Sequence, residues 1–323
     1  MTKPAITAVD PALEKTLRPK RLSDFIGQEK VVQQLLILLR AAKKRGESPS
    51  HILFYGPAGL GKTSLAAIVA AELESQLYTT SGPLMQKSGD MAGLLTNLNE
   101  GDVFFIDEIH RLPKILEEYL YPAMEDFSID LLLDSGANAR SVQMKLPPFT
   151  FIGATTMLGN LSNPLRSRFG VTIRLDFYDE PALKNIILRS SRLLGVELSE
   201  KAAEEMARRS RGTPRIANNL LRWTRDFVHA RVEKIIDEND VKEACLLIGL
   251  DDRGLGDMDR KMMEFILVHH GGGPVGIKAI ASFLGEDENT VASVYEPYLL
   301  SQGLIQRTPR GRLATKTAYS IFT

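Results

Sequence analysis

Disulfides, a dominant charge and long apolar runs are all missing from this chain of 323 residues. Its single cysteine, Cys245, excludes an internal disulfide framework. Placed in an apolar helical stretch, it reads as a buried spectator thiol of a reducing compartment. The 40 basic residues balance the 40 acidic ones, so any contact with nucleic acid must come from a local patch and not from the surface as a whole. No apolar run reaches the ~18 residues that a membrane-spanning helix needs. The first ten residues also lack the apolar core of a signal peptide, so a cytoplasmic location is expected. The hydrophobic fraction of 44% and charged fraction of 25% are those of a globular protein.

What is present is organised around residues 51–63. A short apolar run, Ile-Leu-Phe-Tyr55, feeds into Gly56-Pro-Ala-Gly-Leu-Gly-Lys-Thr63, the Gly-x-x-x-x-Gly-Lys-Thr pattern of a P-loop. The run reads as a buried strand, and residues 64–73 read as an Ala/Leu-rich helix starting at the last glycine. Glycines 56, 59 and 61 let the backbone wrap a phosphate chain, Lys62 can reach the β- and γ-phosphates, and Thr63 can offer its hydroxyl to Mg²⁺. Ahead of it a helix is expected over residues 28–44, its basic Lys43-Lys44-Arg45 end solvated.

A second apolar run, residues 103–106, ends in Asp107-Glu108. In a parallel sheet, such a strand carries two carboxylates to the edge where phosphates sit. Asp107 can hold Mg²⁺ through water, and Glu108 can activate the attacking water. Together with the P-loop, this pair implies hydrolysis of a nucleoside triphosphate. Residues 128–133 and 139–146 flank Asp134-Ser-Gly-Ala-Asn138 and read as an inserted β-hairpin. Its leucines 131 to 133 either dock a partner or pack on the core. A third run, residues 149–153, ends in Ala154-Thr155-Thr156. Those hydroxyls either cap their own strand end or face the γ-phosphate. Arg166 and Arg168 follow at a helix end; their forks suit phosphate oxygens, but a solvated cap is an equally ordinary role there.

From Glu180 the pattern is helical: residues 181–193, 199–209, 214–232 and 238–248 alternate with short polar turns. Arg215 at a helix start is electrostatically out of place, which a bound phosphate would explain, solvent exposure being the duller alternative. Beyond Gly254-Leu-Gly256, residues 257–268, 275–284 and 289–301 read as three short helices. Two strands then flank a Pro309-Arg310-Gly311 turn, completing a winged-helix plan. From Gly303 onward there is no acidic residue, whereas Arg307, Arg310, Arg312 and Lys316 are basic. This basic stretch is the DNA footprint the sequence offers, with Arg307 and Arg312 expected at the wing tip on phosphates and not on base edges; a solvated basic face is the ordinary alternative. His269-His270 have no neighbouring cysteine or carboxylate cluster and read as helix-end residues, not metal ligands.

Further motifs extend this pattern along nearly the whole chain: Leu17-Arg-Pro19, Phe25-Ile-Gly-Gln28, Ile106-Asp-Glu-Ile-His-Arg111, Leu146-Pro-Pro-Phe149, Gly153-Ala-Thr-Thr156, Pro164-Leu-Arg-Ser-Arg-Phe-Gly170, Gly212-Thr-Pro-Arg215, Glu296-Pro-Tyr-Leu299 and Arg307-Thr-Pro-Arg-Gly-Arg312. With them, the chain resembles the AAA+ ATPases, and within these the bacterial motors that drive branch migration of Holliday junctions. The resemblance implies an α/β P-loop AAA+ core over residues 1–179 with the hairpin inserted at about 128–146, a small all-α lid over 180–253, and a winged-helix domain over 254–323. It implies ATP and Mg²⁺ as cofactors, with Leu17 and Arg18 on the adenine side and Gly59, Gly61, Lys62, Thr63 and Ser64 around the phosphates and metal. Asp107 and Glu108 become the Walker B pair, Thr156 sensor 1, Arg168 the finger reaching a neighbour's ATP, and Arg215 sensor 2. Tyr178, Glu125, Asp126 and Phe127 would lie near the nucleotide, and Arg307 and Arg312 on DNA.

The implied assembly is a homohexamer on duplex arms, with RuvA docking on the hairpin and RuvC joining in the resolving complex. Two departures stand out: Pro57-Ala58 replaces the usual Pro-Pro, and the turn Gly285-Glu-Asp-Glu-Asn289 is acidic, so no DNA contact is expected there. The competing reading is a nucleotide-gated DNA-binding scaffold that also ends in a winged helix. A clamp-loader subunit is disfavoured, because those end in a helical collar.

Overall fold

The computed structural model describes residues 16–132, 141–230 and 235–322. The expected lead-in over residues 1–15, the hairpin turn at 134–138 with Leu133, and the end of the helix expected to reach Val232 lie outside them. The chain divides into two compact units that meet between Tyr178 and Asp179, each described by itself.

In the first unit, helix α1 (Glu29–Arg45) precedes β1 (Ile52–Tyr55), α2 (Lys62–Glu72), β2 (Leu77–Ser81), α3 (Ser88–Thr96), β3 (Val103–Asp107) and α4 (Lys114–Glu125). The hairpin β4 (Ser128–Leu132) and β5 (Ser141–Lys145) follows, then β6 (Thr150–Thr155), α5 (Asn163–Ser167) and β7 (Val171–Arg174). The main sheet is parallel, in the order β2-β3-β6-β1-β7. Parallel strands are covered on both faces, which is why β1 and β3 are almost wholly buried and β6 wholly so. The register sets Tyr55 against Thr155 and Ile106 against Gly153, so the strands that end in the P-loop, in Asp107 and in Thr155 finish along one edge. Strand β2 was not expected: as an edge strand it is only partly buried, and Leu-Tyr-Thr-Thr-Ser has no apolar run to announce it. Helix α1 ends on left-handed Gly46 with Lys43, Lys44 and Arg45 in its last turn, and the Lys43–Glu74 ion pair is exposed, as a solvated end requires.

His51 stands at the start of β1, buried among Phe127, Phe149 and Phe151. The Phe151 amide donates to its Nδ1 at 3.0 Å, which leaves Nε2–H to donate to the Met124 carbonyl at 3.0 Å. Both nitrogens are used by the neutral ring, and burial holds its pKa below the usual histidine range.

In the second unit, α6 (Glu180–Leu193), α7 (Glu200–Arg209), α8 (Pro214–His229) and α9 (Glu238–Leu247) form the helical lid. Asp179, Ser199 and Asp237 accept from first-turn amides at three of these starts. Cys245 is buried in α9, and burial pushes its thiol up to about 11. The winged helix follows: α10 (Asp257–Glu264) running into a π-turn at Phe265–His269, α11 (Ile277–Leu284), then α12 (Glu288–Thr290) joined through a π-turn at Val291–Tyr295 to α13 (Glu296–Ser301). The wing pairs β8 (Ile305–Thr308) with β9 (Gly311–Ala314). A last helix, α14 (Lys316–Phe322), was not expected, although Thr315 signals it by accepting from the Ala318 amide at 3.3 Å. No described helix is long and apolar enough to cross a membrane.

A group whose folded pKa is depressed by burial takes up a proton in the unfolded chain first. Stability therefore falls as pH drops through ~6.5, the unfolded histidine value. Thermal unfolding between pH 7.5 and 5.5 is expected to show this loss. His51→Asn is expected to be less stable at pH 7.5 and to lose less on acidification.

Candidate nucleotide site and DNA-contact face

The P-loop runs from the end of β1 into α2. Gly56 (φ 140°) passes so near the Leu175 carbonyl that a Cβ there would collide with it. Gly61 (φ 102°) caps α2 with no side-chain cap, so the amides of its first turn face the loop mouth with the helix dipole behind them, the arrangement that accepts an anion. Lys62 Nζ reaches back to the Gly56 carbonyl at 2.8 Å and the Pro57 carbonyl at 2.7 Å. These oxygens hold the ammonium at the rim of the loop. Thr63 Oγ1 donates to Asp107 Oδ2 at 2.9 Å, so a hydroxyl and a carboxylate from two elements converge as the hard-oxygen donors that Mg²⁺ prefers. Ser64 follows in the first turn of α2.

Glu108 lies beside this pair in the left-handed region (φ 47°), a strained position that non-glycine residues hold chiefly at functional sites. Its amide donates to Asp107 Oδ1 at 2.9 Å, and its carboxylate accepts from Arg111 at 3.1 Å. Both side chains of that ion pair are about half exposed, so it holds Glu108 only weakly. At the end of β6, the Thr155 hydroxyl lies 3.1 Å from His110 Nδ1 and accepts from the Met157 amide at 2.9 Å. Burial, the largest influence, lowers the His110 pKa, with Glu108 opposing it. Thr156 is the next residue and is exposed. The hydroxyl engaged with the loop after Glu108 is therefore that of Thr155, which also makes the self-capping contact.

The flank of the P-loop is closed by residues far away in sequence. Leu17 is buried, and the Leu22 amide donates to Glu72 at the end of α2 at 3.2 Å, which brings the segment carrying Arg18 to the P-loop helix. A Cβ at Gly61 would lie 3.2 Å from the Phe25 ring. Tyr178 donates its hydroxyl to the Leu60 carbonyl at 3.1 Å, and burial raises its pKa. Gln28, left-handed at the N-cap of α1, exchanges hydrogen bonds with the backbone of Asp176. Phe25 and Gln28 were visible only as parts of a motif; nothing local gave them a role.

Glu125, Asp126 and Phe127 lie elsewhere. Met124 is bonded to His51 before β1, whereas the P-loop follows Tyr55 at its far end. Four extended residues separate the two by about 13 Å. Arg168 shares this opposite edge: it pairs with Glu125 at 3.0 Å, donates to the Pro164 carbonyl at 2.7 Å and sits 4.4 Å from the Tyr121 ring centroid. Residues 125–127 thus lie toward the start of β1, away from this chain's own P-loop. Arg215 stands in the first turn of α8, in the second unit.

Arg307 and Arg312 are cross-strand partners of the wing, yet neither is at its tip, which is Pro309-Arg310. Both turn to Glu296 on α13, whose side chain is fully buried. Arg307 donates to Oε2 through Nη2 at 2.6 Å, and Arg312 to Oε2 through Nη2 at 3.0 Å and to Oε1 through Nε. Arg307 remains 54% exposed and Arg312 17%. Two positive charges on one negative leave the cluster one positive charge, with Arg310 and Lys316 exposed nearby in sequence. Among the described residues, no group of three or more metal-ligating side chains occurs; the His269 ring lies tilted and the His270 ring edge-on against Phe265.

Comparison with known proteins decides the family. The profile of the Holliday junction DNA helicase RuvB P-loop domain matches residues 17–175, that of the RuvB AAA lid domain 178–251, and that of the RuvB C-terminal winged helix domain 252–323. The chain belongs to the RuvB family. It is 54% identical over 308 residues to the Holliday junction branch migration complex subunit RuvB of Protochlamydia amoebophila (strain UWE25), covering 95% of this chain and 93% of that protein. The RuvB of Prosthecochloris aestuarii (strain DSM 271 / SK 413) is 53% identical over 319 residues, covering 98% and 93%. Among solved structures, the Thermotoga maritima RuvB Holliday junction branch migration motor superposes with a TM-score of 0.85 at 48% identity, covering 95% of this chain and 98% of that one. The fold is accordingly an α/β P-loop core with the AAA lid and the winged helix of RuvB, and the P-loop described above is a nucleotide-binding loop.

If Glu108 orients water while Lys62 and Thr63 hold phosphate, Glu108→Gln is expected to keep nucleotide affinity and lose nearly all turnover, whereas Lys62→Ala weakens binding itself. Equilibrium binding of a fluorescent nucleotide beside steady-state phosphate release checks this. Undiminished release by the Gln variant contradicts the role.

Proposed function

We propose that this protein is an ATP-driven motor that moves duplex DNA and so drives branch migration of Holliday junctions, working as a homohexamer with RuvA, and with RuvC in the resolving complex. The observation that carries the reading is the Thr63–Asp107 contact beside Lys62 in a chain matched over all three RuvB domains. The proposed division is an ATPase domain over residues 1–179, a lid over 180–253 and a DNA-binding winged helix over 254–323.

Bound ATP with Mg²⁺ supplies the phosphoanhydride bond whose hydrolysis drives the motor. The chain's own groups do the rest. The amides of Gly59 and Gly61 and the first turn of α2, with Ser64, cradle the phosphates, and Lys62 exchanges its carbonyl partners for phosphate oxygens. Thr63 and Asp107 would hold the metal when it is bound. Glu108, released from Arg111, aligns a water for in-line attack, and Thr155 or Thr156 offers the sensing hydroxyl. Leu17, Arg18 and Tyr178 enclose the base side, and Arg215 answers to the phosphate state. Arg168, with Glu125, Asp126 and Phe127, serves the site of the adjacent subunit, a role that its place on the opposite edge of the sheet favours. Arg307 and Arg312 hold DNA through phosphates, without reading sequence.

The hairpin is proposed as the RuvA dock. On β5 it exposes Val142 at 46% and Met144 at 36%, alternate residues of one strand and therefore on one face.

Three outcomes test the proposal. The chain with RuvA is expected to migrate a synthetic four-way junction in an ATP-dependent way; nucleotide-dependent DNA binding without migration would favour the scaffold instead. Arg168→Ala is expected to slow hydrolysis on the order of 10³-fold and to recover when mixed with Lys62→Ala subunits, since one supplies a P-loop and the other a finger. Val142→Glu with Met144→Glu is expected to abolish RuvA binding and spare intrinsic ATPase; loss of both would mark a disturbed domain and not a lost dock.

A further inference from the structure

Arg211 lies in the turn between α7 and α8, four residues before Arg215, and spends more on its position than a surface arginine should. Its backbone is left-handed (φ 52°), a conformation that costs a non-glycine residue energy and persists where the surroundings over-determine it. Its guanidinium leaves the lid entirely. Nη2 pairs with the carboxylate of Asp259 on α10, Nε donates to the Gly254 carbonyl at 2.5 Å, and the guanidinium carbon stands 4.9 Å from the ring centroid of Tyr298 on α13. Asp259 is 2% exposed and also accepts from the Gly256 amide at 2.8 Å. Beside this pair, Arg209 is buried against Glu205 at 2.6 Å and donates to the Asp251 carbonyl at 3.0 Å. Arg209 thus ties the end of α7 to the end of the lid, and Arg211 fastens the lid to the winged helix.

A buried ion pair is a poor way to gain stability, because desolvation offsets its attraction; its attested use is to fix one geometry. The fixed geometry leads somewhere. Tyr298, whose hydroxyl donates to the Arg253 carbonyl at 2.6 Å, lies two residues after Glu296, and Glu296 holds both Arg307 and Arg312. Side-chain contacts and a short stretch of helix therefore join the loop that presents Arg215 to the wing arginines: Arg211 to Asp259 and Tyr298, along the backbone of α13 from Tyr298 to Glu296, and from Glu296 to the wing.

We propose that Arg211 is a coupling residue, a strut through which movement of the Arg215 loop displaces the wing and through which DNA on the wing acts back on Arg215. The inference rests on the motor reading above. Coupling of this kind is reciprocal, so it is readable as stimulation of hydrolysis by DNA. Arg211 touches neither nucleotide nor DNA in this scheme, so binding and basal turnover do not depend on it.

The test compares full-length wild type with R211K, which keeps the charge but loses the planar fork, and with the pair Tyr298→Leu and Tyr298→Phe. Basal ATPase, affinity for a duplex with its salt slope, and DNA-stimulated ATPase are measured for each. R211K and Tyr298→Leu are expected to keep basal turnover, affinity and salt slope while the stimulated increment falls on the order of tenfold. Tyr298→Phe, which keeps the ring under the guanidinium, is expected to retain stimulation. Should R211K fail to fold, the two Tyr298 variants decide. Undiminished stimulation in R211K and Tyr298→Leu overturns the proposal, as does a parallel fall of basal turnover, affinity and stimulation, which marks a merely structural contact. A wild-type chain whose hydrolysis does not respond to DNA overturns the motor reading itself.

Discussion

The structure of the nucleotide site depends on one register. Because β1 and β6 pair with Tyr55 opposite Thr155, and β3 and β6 with Ile106 opposite Gly153, three strands from distant parts of the sequence end at one edge. Parallel strands of this kind must be buried on both faces, so their side chains are chosen for packing and chemistry is left to the residues just past their ends. The Thr63–Asp107 hydrogen bond is the visible consequence: two residues 44 positions apart meet because Phe54 and Phe105 are fixed in the core. A shift of one residue in either pairing would exchange inward and outward side chains along a whole strand and separate the pair.

The same sheet has a second edge with its own chemistry. Helix α4 begins just after the Walker B loop and, at 12 residues, rises about 18 Å at 1.5 Å per residue, enough to return the chain across the sheet. It delivers Glu125 to the edge where Arg168 emerges before β7, and there the two pair across Tyr121. In the role proposed for Arg168, Glu125 holds the guanidinium until phosphate arrives, and a neighbour's nucleotide would have to compete with that carboxylate. If Arg168 acts in catalysis as proposed, the groups lie on opposite edges of one subunit, and such a division works where subunits meet edge to edge. The geometry of a single chain thereby favours a ring.

Much of this was legible in the sequence, and the rest was not, for physical reasons. The P-loop, Asp107-Glu108 and the lid helices announce themselves because loop, strand end and helix cap are local patterns: Asp179, Ser199 and Asp237 cap helices that begin where the periodicity starts. Edge strand β2 stayed hidden because a half-exposed strand needs no apolar run. The displacement of Glu125–Phe127 from the P-loop was hidden as well, since it follows from the length and direction of α4. The adjacent hydroxyls of Thr155 and Thr156 differ in a way no local pattern shows: the His110 ring lies against the first, and the second is exposed.

The wing shows where sequence patterning misleads most instructively. A segment with no acidic residue from Gly303 onward reads as a row of bare positive charges, yet the charge that organises it lies upstream, on Glu296. Two arginines opposite one another on a hairpin repel, and a carboxylate fully removed from water is costly alone. Each difficulty relieves the other, because one buried Glu296 between Arg307 and Arg312 satisfies the acid and brings both guanidiniums to the same place. What remains is one net positive charge at a fixed position, with most of its exposure on Arg307. For the proposed sequence-independent contact with DNA, what is needed is charge at a defined distance from the phosphates, not reach toward base edges. Holding the arginines down on α13 would meet that need better than leaving them loose at the tip, and it makes their orientation a property of α13, the helix on which Arg211 bears.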